Sequence, residues 1–402
     1  MKQVNTIIAA LFLAALAFML ALVLFGARDI GGAILNGWRA QEDTAGATLL
    51  DKAAYVTDNS ESAVNDALDR PHLFIQIYGG VQRLTGQRLV EDSTADTSVT
   101  KLENGMLTFC GLDSAYIDPT GNAEKTAEFA AQLQKAGIPF LAAVAPGKVE
   151  NTAEELPRAL HDWGNEIADD YLTVLAEEGV ETLDLRGAFD AREDRDAFFF
   201  RTDHHWKPEG ALFACGVLME NLAERYDFPV NEAALQEENY DKTVYSDYFL
   251  GSQGKRVGSL YAGTDDFSVY TPRFDTAFTY EIPERDMVRT GMFNEALCFE
   301  ERIEERDWFN GNPYTYYSGG DWAKATITNE KNPDGPKIVL IRDSFSCALT
   351  PFLALQCSEL TTIDLRYYQG DLRSELEEEN PDLVLLLYTA SSTRLENMFA
   401  FS

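Results

Sequence analysis

The sequence predicts an α/β fold in which helices cover both faces of a parallel β-sheet. Three observations lead to this prediction. Short apolar segments typical of buried strands alternate with segments whose apolar residues recur at helical spacing. Glycines such as Gly137 and Gly179 separate the two kinds of segment. A long apolar stretch precedes them all and predicts an N-terminal transmembrane helix.

The apolar stretch at residues 7–25 contains no charged side chain, and as a helix it can cross a hydrocarbon core of about 30 Å. Lys2 precedes it, whereas Arg28 and Asp29 follow it before the chain turns acidic. The positive-inside rule then places the N-terminus in the cytoplasm. The alternative is a secretory signal cleaved near residues 31–33. Either way, we expect most of the chain to lie outside the cytoplasmic membrane, as a single-pass protein if the helix is retained.

The chain carries 66 acidic and 33 basic side chains, for a net charge of −33. Such a charge repels nucleic acids and anionic surfaces, so no nucleic-acid partner is expected. The five cysteines are widely spaced and form no CxxC motif, which predicts buried small hydrophobic residues rather than a zinc or haem site. No cofactor is expected. The cysteines are Cys110, Cys215, Cys298, Cys347 and Cys357.

The expected order of elements divides the chain into three parts. Residues 1–28 form a cytoplasmic tip and anchor, residues 29–100 a membrane-proximal stalk or helical region, and residues 101–402 the α/β domain. Within that domain, residues 226–335 break the alternation and predict an insertion of loops and short strands. Strands are expected at 138–145, 180–185, 197–200, 337–341, 360–365 and 382–388, and helices at 122–136, 167–178, 208–225, 345–356 and 372–378.

Ser344 is the candidate nucleophile. It comes directly after a predicted buried strand and opens a helix, and in parallel sheets ligands bind at this end of the strands. Backbone N–H groups at a helix start can stabilise a developing oxyanion. The alternative is that Asp343 or Ser344 only caps the helix.

A nucleophilic serine needs a base, and only four histidines are present. Two of them, His204 and His205, follow Asp203 at another predicted strand end. In an extended segment residues i and i+2 point the same way, so Asp203 can orient His205 while His204 points away. The sequence therefore predicts that His205 takes the proton of Ser344 while Asp203 fixes the tautomer.

A metal site is the rival interpretation of the same segment, since it offers two histidines and a carboxylate. Adjacent side chains are expected to diverge, which counts against joint ligation. The sequence also lacks the helical HExxH spacing of zinc hydrolases. We therefore expect no metal.

The segment Thr-Asp-His-His-Trp-Lys-Pro-Glu-Gly-Ala at residues 202–211 resembles the signature of the DHHW proteins. These proteins are close to the alginate O-acetyltransferase-like branch of the SGNH hydrolases. The resemblance extends to short segments at 145–149, 251–258, 340–346 and 363–368. It implies an SGNH-like, flavodoxin-like sheet sandwiched by helices, and a permuted order in which the serine follows the Asp/His pair.

By this resemblance Asp203, His205 and Ser344 form a catalytic triad. The chain departs from the pattern at Arg342, where a glycine usually precedes the Asp-Ser pair, and at Thr389, where an amide is expected.

The remaining oxyanion and substrate-binding candidates come from glycines and strand ends. The backbone N–H of Ser344 and a glycine, either Gly319 or Gly320, are then the expected oxyanion donors. Arg366 at a strand end could bind an anionic substrate group or form a structural ion pair. Tyr388 could contact substrate or lie in the core. For residues 251–258 a structural loop is expected.

The leading functional prediction is a serine-dependent enzyme that transfers or hydrolyses O-acetyl groups on a cell-surface polysaccharide. The resemblance also implies a multi-pass membrane acyltransferase as partner, because a protein with one span cannot export acyl groups itself. The competing prediction is a non-catalytic envelope protein that keeps the fold and binds glycan or scaffolds a complex. The departures at Arg342 and Thr389 motivate this alternative.

Overall fold

The computed structural model describes residues 2–42, 48–50, 52–55, 57, 72–92 and 97–401. Part of the stalk predicted at residues 29–100 therefore lies outside the described residues. The chain divides into two compact units, Met1–Val81 and Gln82–Ser402. The α-helices, numbered in chain order, are α1 (Lys2–Phe25), α2 (Ala27–Glu42), α3 (Leu73–Leu84), α4 (Thr120–Ala136), α5 (Thr152–Glu155), α6 (Gly164–Glu177), α7 (Arg186–Asp190), α8 (Pro208–Tyr226), α9 (Ser252–Val257), α10 (Ser259–Ala262), α11 (Phe293–Leu297), α12 (Ser346–Ala354) and α13 (Leu372–Glu379).

The first unit contains helices α1 and α2. Helix α1 covers the apolar stretch at residues 7–25. Within the part of the chain that the structure describes, no helix meets the length and apolarity that crossing a membrane requires. The predicted transmembrane helix is therefore not found.

The second unit is built around an eight-stranded sheet. The strands are β1 (Leu89–Glu91), β2 (Ser98–Lys101), β3 (Leu107–Thr108), β4 (Phe140–Ala145), β5 (Thr182–Asp184), β6 (Tyr240–Phe249), β7 (Asp265–Pro272), β8 (Phe278–Ile282), β9 (Met287–Gly291), β10 (Lys324–Asn329), β11 (Lys337–Arg342), β12 (Glu359–Ile363) and β13 (Leu383–Thr389). The large sheet has the order β5-β4-β13-β11-β12-β10-β8-β9, while β1–β3 and β6–β7 form two small antiparallel sheets.

The five strands β5, β4, β13, β11 and β12 run parallel, and their central members bury both faces. In β4, Leu141 and Ala143 join an apolar cluster with residues of α8 and α12. Ala142 and Val144 face the other way, into a cluster with residues of α4, α6 and α13. Alternating side chains therefore meet helices on both faces, which explains why these strands are continuously apolar. The predicted α/β class with a large sheet is confirmed.

The region predicted as an insertion, residues 226–335, contributes more to the sheet than expected. Its strands β8, β9 and β10 extend the parallel part as an antiparallel edge. The inward-facing residues Phe278, Tyr280 and Ile282 of β8 alternate with less buried ones, as expected for a strand with one face on the core. All five cysteines are buried free thiols.

The strand predicted at 197–200 is wrong. Residues Arg195–Phe198 form a 3₁₀ helix, and only an isolated bridge joins Phe199 to Trp206. The apolar run reflects burial in an aromatic cluster, not sheet pairing, because Phe199, Phe200 and Trp206 are fully buried without joining the large sheet. Hydrogen bonds from Phe200 N to His205 O (3.2 Å) and from Lys207 N to Phe198 O (2.7 Å) close this segment into a tight loop.

Trp206 anchors this loop, and its replacement by phenylalanine tests the anchor. Its indole Nε1 donates to Phe345 O at 2.8 Å in a fully buried setting. We expect Trp206→Phe to lower the free energy of unfolding by about 1–3 kcal/mol, because a buried hydrogen bond and packing volume are lost. Denaturant unfolding monitored by circular dichroism measures this.

Trp308→Phe is the matched control, since Trp308 Nε1 also donates to a backbone carbonyl, Asp247 O, at 3.1 Å, but near the surface. Its free energy of unfolding should change by less than about 0.5 kcal/mol. Equal losses in the two variants would contradict the anchoring role of Trp206.

Candidate active site

Ser344 lies between β11 and α12 at the carboxyl end of the parallel strands. The buried carboxylate of Asp343 organises this turn. Its Oδ1 accepts from Phe345 N (3.0 Å), and its Oδ2 accepts from Thr389 N (2.8 Å) and Ser392 Oγ (2.8 Å). Asp343 thus ties the turn to the end of β13 and leaves Ser344 partly exposed.

The structure brings the three predicted triad side chains together. His205 Nε2 lies 2.8 Å from Ser344 Oγ, and His205 Nδ1 lies 2.5 Å from Asp203 Oδ1. Asp203 and His205 are buried, with 3% and 7% exposed. The ring of His205 therefore bridges the carboxylate and the hydroxyl.

Electrostatics decide which atoms carry protons. Burial alone would raise the pKa of Asp203, but His204 and His205 and the hydrogen bonds it accepts hold that pKa well below its usual range. The ionised carboxylate accepts the Nδ1 proton of His205. Nε2 is then the free acceptor for the hydroxyl proton of Ser344.

Two aromatic residues hold the base and the nucleophile turn together. The ring of His205 stacks on Tyr314 with centroids 3.9 Å apart and an interplanar angle of 14°. The Tyr314 hydroxyl donates to Phe345 O at 2.6 Å, and this carbonyl also accepts from Trp206. The Phe345 carbonyl next to Ser344 thus accepts two hydrogen bonds, one from Trp206 of the histidine loop (residues 200–206) and one from Tyr314, which stacks on His205.

The predicted structural loop at residues 251–258 is instead mostly the helix α9, and its first turn, residues 251–254, holds the triad carboxylate. Ser252 N donates to Asp203 Oδ2 at 2.6 Å. Gly251 packs so tightly that a Cβ atom there would lie 2.2 Å from Asp203 Cβ. Sequence reasoning missed this contact, although the paired glycines Gly251 and Gly254 were a signal of close backbone approach.

His204 does not point away as predicted. Its ring lies 3.8 Å from that of His205, and its Nδ1 lies 2.8 Å from Ser252 Oγ. The loop is too tightly curved for the side-chain alternation of an extended strand. Ligand atoms of Asp203, His204 and His205 lie within 4.8 Å of one another. However, a metal bound by all three would disrupt the hydrogen bonds described above, so the geometry suits proton transfer better.

Arg342 and Arg366, both singled out from the sequence, form structural ion pairs. Arg342 is 1% exposed; its Nη1 lies 2.6 Å from Asp321 Oδ1, and its Nη2 donates to Gly320 O at 2.7 Å. Arg366 Nη2 lies 2.6 Å from Asp364 Oδ2 and 3.1 Å from Asp321 Oδ2. These carboxylates neutralise Arg366, so its contacts are those of the structural ion pair, one of the two predicted alternatives.

The other predicted contact residues are also engaged elsewhere. Tyr388 is buried, and its hydroxyl donates to Met398 O at 2.6 Å, so it is a core residue and not a substrate contact. Gly319 has a φ of 79° and packs on Phe299, where a Cβ atom would lie 2.5 Å from the ring. Gly320 uses its carbonyl for an arginine. These contacts do not involve the backbone N–H groups of the two glycines, so their oxyanion role stays a prediction.

A cavity of about 300 Å³ opens beside the triad. The residues that line it include His204, Phe345, Ser391, Trp163 and Arg394. Within the described part of the chain, the Arg394 guanidinium has neither an ion pair nor a hydrogen bond, in contrast to those of Arg342 and Arg366. Asp162 also lines the cavity, and the charge of Arg394 opposes the rise in the pKa of Asp162 that burial causes. The cavity therefore offers a flat aromatic surface and a cation that forms no hydrogen bond with the described residues.

Gly251→Ala tests the close contact with Asp203. The added methyl group must displace the carboxylate or the turn, and overpacking of this kind should lower the free energy of unfolding by about 1–3 kcal/mol. Thermal and denaturant unfolding measure the change.

The matched control is Gly216→Ala, where an added Cβ meets no atom within 4 Å in the middle of α8. It should stabilise the protein by about 0.5–1 kcal/mol because alanine favours helix. A Gly251→Ala protein as stable as the parent would contradict the tight contact.

Two family models match the chain. Residues 115–251 match "SGNH hydrolase-like domain, acetyltransferase AlgX", and residues 189–362 match "DHHW protein". Among curated proteins, the chain is 32% identical over 108 residues to "Probable alginate O-acetylase AlgJ" of Pseudomonas aeruginosa, covering 26% of this chain and 25% of that protein. It is 28% identical over 150 residues to "Alginate biosynthesis protein AlgX" of the same organism, covering 36% and 31%. The match thus spans about a quarter to a third of these relatives.

Solved structures share the fold over most of the chain. Bacillus cereus PatB1 superposes with a TM-score of 0.62 at 20% identity, covering 76% of this chain and all of that one. A DHHW family protein from Eubacterium siraeum gives a TM-score of 0.54 at 20% identity, covering 75% and 93%. The resemblance to the DHHW proteins and to the AlgX-like branch of the SGNH hydrolases, predicted from residues 202–211, is therefore confirmed.

Proposed function

We propose that this protein is a serine-dependent acyl-transfer enzyme that places O-acetyl groups on a polysaccharide, or removes them. Ser344 is the nucleophile, His205 the general base and acid, and Asp203 the group that orients and stabilises the imidazolium. The continuous hydrogen-bonded path from Asp203 through His205 to Ser344, at 2.5 and 2.8 Å, carries the proposal.

The chemistry follows from these positions. Ser344 Oγ attacks the carbonyl carbon of an acetyl ester while His205 Nε2 takes its proton. His205 then gives that proton to the departing alkoxide, which leaves an acetyl group on Ser344. The backbone N–H of Ser344 is the proposed oxyanion donor, since it lies at the start of α12 where the helix dipole favours negative charge.

The second half-reaction decides between transfer and hydrolysis. His205 removes a proton from an acceptor, whose oxygen attacks the acetyl carbon of the acyl-enzyme. The bond to Ser344 Oγ then breaks, and His205 returns the proton to that oxygen. A sugar hydroxyl as acceptor gives transfer, and water gives hydrolysis. The names of the relatives AlgJ and AlgX, an alginate O-acetylase and an alginate biosynthesis protein, support transfer to a polysaccharide.

The cavity beside Ser344 is the proposed acceptor site. Its volume of about 300 Å³ accommodates a sugar ring, and Trp163 offers a flat face against which such a ring can pack. Arg394 forms no ion pair or hydrogen bond with the described residues, although its charge acts on Asp162 in the same cavity. A negatively charged group of an acceptor would therefore bind best at this guanidinium. This local charge contrasts with the net charge of −33, which repels polyanions elsewhere on the surface.

The proposed location of the C-terminal unit is the outer side of the cytoplasmic membrane. This location rests on the sequence, as does a multi-pass membrane acyltransferase that delivers acetyl groups. The partner follows from chemistry, because a donor acetyl ester must be supplied on the side where the polysaccharide is modified. A periplasm-sensitive or surface-sensitive reporter fused to the C-terminus tests the location.

The non-catalytic alternative loses its main support in the structure. The departures that motivated it, Arg342 and Thr389, have structural functions here. Arg342 pairs with Asp321, and Thr389 donates to Asp343, the carboxylate that shapes the nucleophile turn. Neither departure breaks the contact between His205 and Ser344.

Replacement of the nucleophile tests the enzymatic proposal. With a chromogenic acetyl ester, the Ser344→Ala protein should lose activity by about 10³-fold or more, since the acyl-enzyme cannot form. A sulfonyl fluoride should label the parent at Ser344, as detected by mass spectrometry of the peptides. A sulfonyl adduct is known for the structural relative PatB1.

Ser374→Ala is the control, because it removes an exposed serine hydroxyl that bonds only its own helix start, at Asp371. Its rate should equal that of the parent. Equal rates for Ser344→Ala and the parent would refute the enzymatic proposal.

Arg394→Gln tests the acceptor site. With an acidic oligosaccharide as acceptor, KM should rise by about 10-fold, corresponding to the loss of one charge-assisted hydrogen bond of about 1.4 kcal/mol. Hydrolysis of the small acetyl ester should be unaffected, since that substrate needs no acceptor sugar.

Arg373→Gln, which removes an exposed arginine paired with Glu377 on α13, is the charge-matched control. If both variants raise KM equally, only the overall charge matters. If neither variant does, Arg394 does not bind the acceptor.

A further inference from the structure

Lys148 is a buried cation that the proposed chemistry does not use. It follows β4, and its side chain is 5% exposed. Its Nζ donates to Gln253 Oε1 at 2.8 Å, Phe200 O at 3.1 Å and Arg201 O at 3.3 Å. All three acceptors are neutral, and no carboxylate of the described residues pairs with it. Burying an ammonium group without a counter-ion is costly, so the position requires an explanation.

The acceptors of Lys148 lie on the two segments that hold Asp203. Phe200 and Arg201 belong to the loop that leads into Asp203, and Gln253 belongs to the turn at 251–254. In that turn Ser252 N donates to Asp203 Oδ2, and Gly251 packs on Asp203. The ammonium group therefore joins the two walls of the pocket in which the carboxylate sits.

The charges around Lys148 agree with a side chain that joins the two segments next to Asp203. Burial lowers the pKa of Lys148 to about 7, and the negative charges of Asp203 and Asp265 oppose that shift. Asp265 also holds this loop, because it accepts hydrogen bonds from Arg201 N and Thr202 N at 2.8 Å each. His204 faces the same cavity as Lys148, and its own pKa is lowered by burial and by His205.

We propose that Lys148 is a positioning residue of the active site: by bridging the loop 200–203 and the turn 251–254 it fixes Asp203 against His205 and so sets the reactivity of Ser344. The inference rests on the proposed function for its consequence, but its structural part, the position of Asp203 against His205, is measurable without any turnover.

The test compares Lys148→Met with the parent in two measurements. The first is the rate at which a sulfonyl fluoride modifies Ser344. We expect this rate to fall about 10- to 100-fold, because a misplacement of about 1 Å can cost about 100-fold in rate. The second is the downfield proton resonance of His205 Nδ1–H in the NMR spectrum, which should shift or broaden. Methionine is close to lysine in volume and removes a buried charge, so the variant should fold, and thermal unfolding checks this.

Lys255→Met is the matched control. Lys255 lies in the same short helix as Gln253, and its Nζ donates to Gly311 O at 2.7 Å without bonding the segments that hold Asp203. Its charge also acts on Asp203, since the two attract each other. A purely electrostatic effect would therefore appear in both variants, whereas positioning predicts a change in Lys148→Met alone.

The outcomes separate the inference from the proposed function. A folded Lys148→Met protein with parental labelling rate and an unchanged His205 resonance overturns the inference, as do equal changes in the two lysine variants. If Lys148→Met does not fold, Gln253→Met replaces it, and a parental rate and resonance there overturn the inference. If Ser344 of the parent is never labelled, the proposed function fails, while the resonance still decides whether Lys148 positions Asp203.

Discussion

The candidate site depends on the burial of one ionised carboxylate, Asp203. A buried charge is tolerated only where hydrogen bonds replace its lost hydration. Here Oδ1 accepts from the backbone N–H and the ring of His205, while Oδ2 accepts from Ser252 N. These donors lie on the loop 200–206 and the turn 251–254. Because the buried carboxylate needs all of them, the two segments must keep a fixed position relative to each other.

A second buried carboxylate, Asp343, does the same for the nucleophile. It ties the turn after β11 to the end of β13, so the two strands that carry Ser344 and Thr389 end in register. The loop that carries His205 and the turn that carries Ser344 then meet at Phe345 O, which accepts hydrogen bonds from Trp206 of that loop and from Tyr314. The distance of 2.8 Å between His205 and Ser344 thus results from two rigid, separately satisfied loops.

Sequence patterns predict the parts of this structure that depend on local chemistry. Buried parallel strands are continuously apolar, so β4, β11 and β13 lie close to their expected positions. Asp203, His205 and Ser344 could be selected because strand ends carry function in such sheets. Long-range contacts leave no such local signal. Neither the pairing of Arg366 with Asp321 nor the stacking of His205 on Tyr314 can be deduced from residue type and spacing. The apolar run at 197–200 misled for a related reason, since burial in a loop and burial in a strand leave the same pattern.

The region predicted as an insertion, residues 226–335, matters most for the site. It supplies Ser252 and Gly251 to Asp203, and Tyr314 to His205. In chain order the Asp/His pair comes before this region and the serine after it, so residues of this region reinforce the direct contact between His205 and Ser344. A permuted order is therefore workable because the intervening segment folds back against both loops. For the same reason the loop 200–206 alone is insufficient, since its carboxylate would lack the donor that balances Oδ2.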